Sequence, residues 1–129
     1  MTNKKIKILI MEDDTFLCNM YATKLRSKDF VVFIAHDGKT GMEYVYKEKP
    51  DMILLDIMMP KLNGYNVIKE MKSKKATKNI PIVLLTNLSQ KRHVEKGIAL
   101  GATDYLVKAH FMPTEVINRI KKIANDNIR

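Results

Sequence analysis

Five side chains that could do chemistry together are scattered through the chain, each at the carboxyl end of a short apolar run. Glu12 and Asp13 follow "IKILIM", Asp56 follows "MILL", Thr86 follows "IPIVLL" and Lys108 follows "YLV". Each position alone reads as an ordinary loop residue, because strand ends meet polar loops. Together they describe a site. Two carboxylates ~5 Å apart at an effective dielectric of 20 repel by roughly 3 kcal/mol. Three of them therefore require a raised pKa or a cation. A few hard oxygen ligands open to water on one side suit Mg²⁺, which keeps some waters and completes its octahedron with phosphate oxygens. The sequence has neither the His and Cys spacing of a zinc site nor an EF-hand loop. A carboxylate beside Mg²⁺, with an ammonium and a hydroxyl near it, is arranged for phosphoryl transfer to that carboxylate. Asp56 is then the nucleophile, Glu12 and Asp13 hold the metal, and Lys108 and Thr86 hold phosphoryl oxygens. Asp14 reads instead as the N-cap of the adjoining helix.

The elements that must gather these residues are legible as five apolar runs, beginning at 6, 31, 52, 80 and 105, alternating with amphipathic stretches. The runs are mostly continuous, the pattern of strands covered on both faces. Helical stripes lie between them: Leu17, Met20, Tyr21 and Leu25; Met42, Val45 and Tyr46; Val67, Ile68 and Met71; Val94 and Ile98; and Val116, Ile117, Ile120, Ile123 and Ala124. Asp37 and Ser89 are predicted helix caps, Asn63-Gly64 a turn into the third helix, Pro50 and Gly101 stop signals, and Pro113 a first-turn residue. Strand and helix repeated five times predicts an α/β fold, a doubly wound parallel sheet with right-handed crossovers and helices on both faces. In such sheets ligands bind beyond the carboxyl ends of the strands, where the strand order reverses.

With 129 residues, 46% hydrophobic and 29% charged, the composition is that of one globular domain, spanning 1–129. No apolar run is long enough for a membrane helix and no signal peptide opens the chain, so a cytoplasmic location without membrane insertion is expected. The single Cys18 falls on a predicted helix and reads as a buried small hydrophobe. The net charge of +9 would suit an anionic partner. Because the lysines are spread along the sequence rather than clustered with aromatics, no direct nucleic-acid partner is expected.

Through "KILIMEDD", "PDMILLDIMMPKLNG", "IPIVLLTNLS" and "GATDYLVKAHF", nearly the whole chain resembles the receiver domain of bacterial two-component response regulators, including stand-alone, chemotaxis-like receivers. The resemblance implies a flavodoxin-like (βα)5 sheet with strand order 2-1-3-4-5, Asp56 as phosphoacceptor, and Glu12 and Asp13 as the acidic metal pair. It implies Thr86 and Lys108 as the phosphate-sensing pair, the Met58 backbone carbonyl as a further Mg²⁺ ligand, and Tyr105 as the aromatic whose rotamer reports phosphorylation. The implied partners are a sensor histidine kinase or histidine phosphotransfer protein and a downstream protein target. The protein is expected to be a monomer or a weak, phosphorylation-dependent dimer. Turnover of an external substrate is not expected, since a phosphatase would need an acid two residues after Asp56 and Met58 stands there. The expectation is a receiver with no output domain; the alternative is a receiver excised from a longer DNA-binding transcriptional regulator.

Three local features differ from the family's usual pattern or vary within it. Ala109 replaces the proline that commonly succeeds the lysine, and a trans Lys108–Ala109 peptide is expected because cis costs about 2.5–4 kcal/mol at a non-proline residue. Asn87 comes after Thr86 where a small residue is usual, and Met58 and Leu88 occupy positions that resemble those setting dephosphorylation rate. The family's readout face, built from the fourth helix, fifth strand and fifth helix, would carry Lys91, Arg92, Lys96, Arg119, Lys121 and Lys122 against Glu95 and Glu115. That balance suggests an acidic downstream partner.

Overall fold

The computed structural model describes residues 5–59, 61–87, 91–108 and 113–128. Its order is β1 (Lys7–Met11), α1 (Thr15–Ser27), β2 (Val31–Ala35), α2 (Gly38–Glu48), β3 (Met52–Asp56), α3 (Gly64–Lys72), β4 (Ile82–Thr86), α4 (Lys91–Leu100), β5 (Asp104–Val107) and α5 (Pro113–Asn127). All pairings are parallel and the sheet order is β2-β1-β3-β4-β5. This is the fold class and strand order expected from the sequence.

Alternation along the central strands divides the core in two. Ile8 and Ile10, Met52 and Leu54, and Val83 and Leu85 pack with α1 and α5, whereas Leu9 and Met11, Ile53 and Leu55, and Ile82 and Leu84 pack with α2 and α3 on the other face. Period-two side chains on a sheet covered twice give this division, and it explains why the runs are apolar throughout. The winding reverses between β1 and β3, so Glu12 and Asp56 leave the sheet side by side. Asp14, Asp37 and Asn63 cap α1, α2 and α3 by accepting from Leu17, Thr40 and Asn66 N–H. Lys49 ends α2 in the left-handed region before Pro50, and Gly101 sits just past α4 at φ 120°. Ser89, Leu88 and Ala109, and with Ala109 the geometry of its peptide to Lys108, lie outside the described residues.

Two stripes differ from expectation. Tyr46 is exposed, because its hydroxyl is held on the surface by Glu70 and Lys74 of the α3 segment. On α4 only Gly97 is buried, while Ile98 is 41% exposed. A Cβ on Gly97 would lie 2.6 Å from Leu84 Cδ1, so α4 approaches β4 through its glycine rather than through an apolar stripe. β5 is an edge strand on which only Leu106 is buried, leaving Tyr105 and Val107 exposed.

Candidate functional site

Glu12, Asp13 and Asp56 converge at the β1–β3 end of the sheet, with one ligand oxygen from each lying within 4.8 Å of the others. Glu12 and Asp56 are buried and Asp13 is exposed, so the cluster has a dry floor and a wet rim. Lys108 reaches into it from the end of β5. Its Nζ lies 2.7 Å from Glu12 Oε1 and 3.2 Å from Asp56 Oδ2. The Lys108 N–H also donates to the Thr86 carbonyl at 2.7 Å, which aligns the ends of β4 and β5 and aims the side chain across β4 toward β3.

The charges explain one another. Burial pushes Lys108 down, but Glu12 and Asp56 beside it more than compensate and hold the ammonium above its ordinary value. Burial raises Glu12 to about 7, against the opposing pull of Lys108, with Asp13 and Asp56 adding to the rise. The Glu12 Oε1–Lys108 contact is a close ion pair rather than a well-directed hydrogen bond, since that buried oxygen lacks a partner of good geometry. Its Oε2 accepts from Asp14 N–H at 3.1 Å. A single ammonium is thus shared by two buried carboxylates, Glu12 and Asp56, while Asp13 stands at the exposed rim. Two buried acids, one exposed acid and a poorly satisfied carboxylate oxygen form a hard-oxygen donor set with room for positive charge, so the residues fit a divalent cation.

Asp56 Oδ1 accepts from Met58 N–H at 3.0 Å, which turns the carboxylate along the loop leaving β3. The Met58 side chain is 52% exposed at the rim. Thr86 is buried and its hydroxyl donates to the Asn87 carbonyl at 3.0 Å. Tyr105 is 44% exposed on β5. Thr86, Asn87, Lys91, Val94, Glu95, Tyr105 and Val107 line one pocket of about 310 Å³ between β4, α4 and β5. The structure therefore brings Glu12, Asp13, Asp56 and Lys108 into one cluster and places Thr86 and Tyr105 on a common pocket beside it.

Two supporting groups escaped the sequence. Cys18 is indeed buried, and its thiol, pushed up to about 12 chiefly by burial, donates to the Glu12 carbonyl at 3.2 Å. His36 Nδ1 lies 2.9 Å from the same carbonyl; because a carbonyl only accepts, that nitrogen carries the hydrogen. Neither contact has a sequence signature, because β2 brings His36 to β1 only through sheet pairing.

Residues 8–121 match the response regulator receiver domain family. The chain belongs to that family. This receiver is 37% identical over 119 residues to a probable transcriptional regulator, ycf27, of Guillardia theta, covering 92% of this chain and 45% of that protein. It spans about half the length of the curated relatives it matches. A putative response regulator from Chloroflexus aurantiacus superposes with a TM-score of 0.87 at 32% identity, covering 95% of this chain and 99% of that one. The Mn²⁺-bound form of the response regulator Rcp1 superposes at 0.77 with 26% identity, covering 93% and 92%. Among the described residues no helix is long and apolar enough to cross a membrane.

Proposed function

We propose that this receiver accepts a phosphoryl group on Asp56 from a phosphohistidine donor in the cytoplasm, with Mg²⁺, and relays the change through the α4–β5–α5 face to a protein target. The observation that carries this reading is the Lys108 ammonium suspended between Glu12 and Asp56 above a buried acidic floor. One Asp56 carboxylate oxygen attacks phosphorus, the P–N bond of the donor breaks, and the departing imidazole keeps the electron pair and takes up a proton. Lys108 neutralises charge on the transferring oxygens, and the Thr86 hydroxyl turns from Asn87 to hold another. Glu12, Asp13, Asp56 and the Met58 carbonyl would hold Mg²⁺, whose role is to neutralise and orient phosphoryl oxygens. The Mn²⁺-bound relative supports a divalent cation here. Withdrawal of Thr86 into the site would open the pocket it shares with Tyr105, so that the exposed ring can turn inward and report the event. No external substrate is turned over, because no second acid stands two residues beyond Asp56.

The readout face carries more acid than Glu95 and Glu115, since Asp104 lies 3.5 Å from Arg119. An acidic target therefore contacts Lys91, Arg92, Lys121 and Lys122 in preference to Arg119. A second reading, the receiver half of a longer DNA-binding regulator, is favoured by the length of the transcriptional relatives, about twice that of the matched region.

Incubated with acetyl phosphate and Mg²⁺, the protein gains one phosphoryl group by intact mass. Chelation of the metal abolishes the gain; uptake that persists in chelator counts against the reading. Metal affinity also depends on pH. Below about 7 an incoming cation must displace the Glu12 proton, so affinity falls as pH falls. Between pH 8 and 6 the loss is about tenfold for one linked proton. Calorimetric titration with Mg²⁺ checks this, and an affinity flat across that range would exclude Glu12 as the linked group.

A further inference from the structure

The lysines are dispersed in sequence but not in space. Residues 44–50 and 69–78 hold seven lysines, at 47, 49, 69, 72, 74, 75 and 78, against Glu48 and Glu70, a net +5 of the chain's +9. These segments comprise the last turns of α2 and α3 and the residues just beyond each helix, at the amino edge of the sheet, opposite Asp56. They are fastened together. The Tyr46 hydroxyl binds both Glu70 and Lys74, Lys74 Nζ sits 4.5 Å over the Tyr46 ring, and Lys74 pairs with Glu70 at 3.5 Å. Lys72 Nζ donates to the Lys78 carbonyl at 2.8 Å, folding the segment beyond α3 back against the helix. Glu70 is thereby occupied, and nearby Asp51 is turned to the Lys7 N–H at 2.8 Å. Lys47, Lys49, Lys69, Lys75 and Lys78 are exposed.

We propose that this basic end is a binding surface for the phosphate backbone of duplex DNA, independent of the phosphorylation site. The side chains choose the partner. All seven cations are lysines, which bind phosphate as point charges and are depleted from specific protein–protein interfaces. The only exposed large hydrophobic side chain of the patch is Tyr46, which lies under Lys74, so there is no apolar anchor to add to a polybasic patch, and stable membrane attachment needs such a second signal. A polyphosphate duplex needs only the charges, through release of its counterions.

The test is binding of the full chain to a labelled mixed-sequence DNA duplex, read by anisotropy at increasing salt. For four phosphate contacts, affinity falls about a hundredfold between roughly 50 and 200 mM salt. Replacing Lys47, Lys69, Lys75 and Lys78 with glutamine lowers the log–log salt slope by about 3 to 4. The same fourfold change at Lys91, Arg92, Lys121 and Lys122 leaves the slope near its native value, and Asp56→Asn leaves binding unchanged. Equal losses in the two fourfold variants would show a bulk-charge effect and overturn the proposal. So would absent binding at the lowest salt, or tighter binding to phosphatidylserine vesicles than to the duplex.

Discussion

Lys108→Ala destabilises the metal-free protein by about 3 kcal/mol at pH 8, the scale expected when one partner of a buried ion pair is removed. The Lys108, Glu12 and Asp56 side chains are 12%, 1% and 5% exposed, so solvent compensates the lost ammonium only weakly. The sign of the pH dependence is set by Glu12. An unfolded glutamate ionises near 4.5, and burial raises the folded one to about 7 even with Lys108 present. Folding therefore favours the protonated acid. In the variant the penalty grows as pH rises above the unfolded value and shrinks as pH falls. Denaturant melts in chelator at pH 6 and 8 measure it, with the larger loss at pH 8, and Mg²⁺ restores most of the difference by supplying the missing charge. A variant as stable as the native protein at pH 8 in chelator would mean that Glu12 and Asp56 do not depend on Lys108.

Gly38→Ala lowers stability by about 3 kcal/mol, at the upper end for overpacking. Helix propensity alone predicts a gain of up to about 1 kcal/mol from alanine. The packing decides otherwise. A Cβ at Gly38 would lie 1.9 Å from the Leu62 carbonyl oxygen and 2.8 Å from its carbon, both main chain, in the loop between β3 and α3 that also carries Met58. Either α2 or that loop must move. Gly97→Ala is the control, since its nearest obstacle is the tip of the Leu84 side chain at 2.6 Å, which can rotate. Its stability stays within about 1 kcal/mol of native. Urea midpoints separate the two, and a Gly38→Ala protein as stable as Gly97→Ala would refute the backbone contact.

Most of this architecture is legible in the sequence because local signals agree with one another. Asp14 and Asp37 cap the helices they are expected to cap, the expected turn at Asn63-Gly64 leads into α3 with Asn63 as its cap, and the continuous apolar runs of β1, β3 and β4 are strands buried on both faces. Parallel order then carries Glu12, Asp13, Asp56 and Lys108 to one edge. The features that cannot be read are set by long-range proximity. The stripe of Val94 and Ile98 has the spacing of core, but α4 docks through Gly97, and helical periodicity does not reveal a glycine contact. Tyr46 points inward by spacing and is held outward by Glu70, 24 residues away. His36 and Cys18 grip the Glu12 carbonyl through pairings no linear pattern encodes. The concentration of lysine at one end arises the same way, from two helix ends that meet only in the folded sheet.

Asp56 is expected to take the phosphoryl group as an acyl phosphate. The most direct test is to phosphorylate the protein with acetyl phosphate and Mg²⁺, treat half with hydroxylamine, and map the modified residue by peptide mass. The expected result is one phosphoryl group on Asp56, removed by hydroxylamine and absent from Asp56→Asn. A hydroxylamine-resistant phosphoryl group, as on the Thr86 hydroxyl, or undiminished uptake by Asp56→Asn, would contradict it.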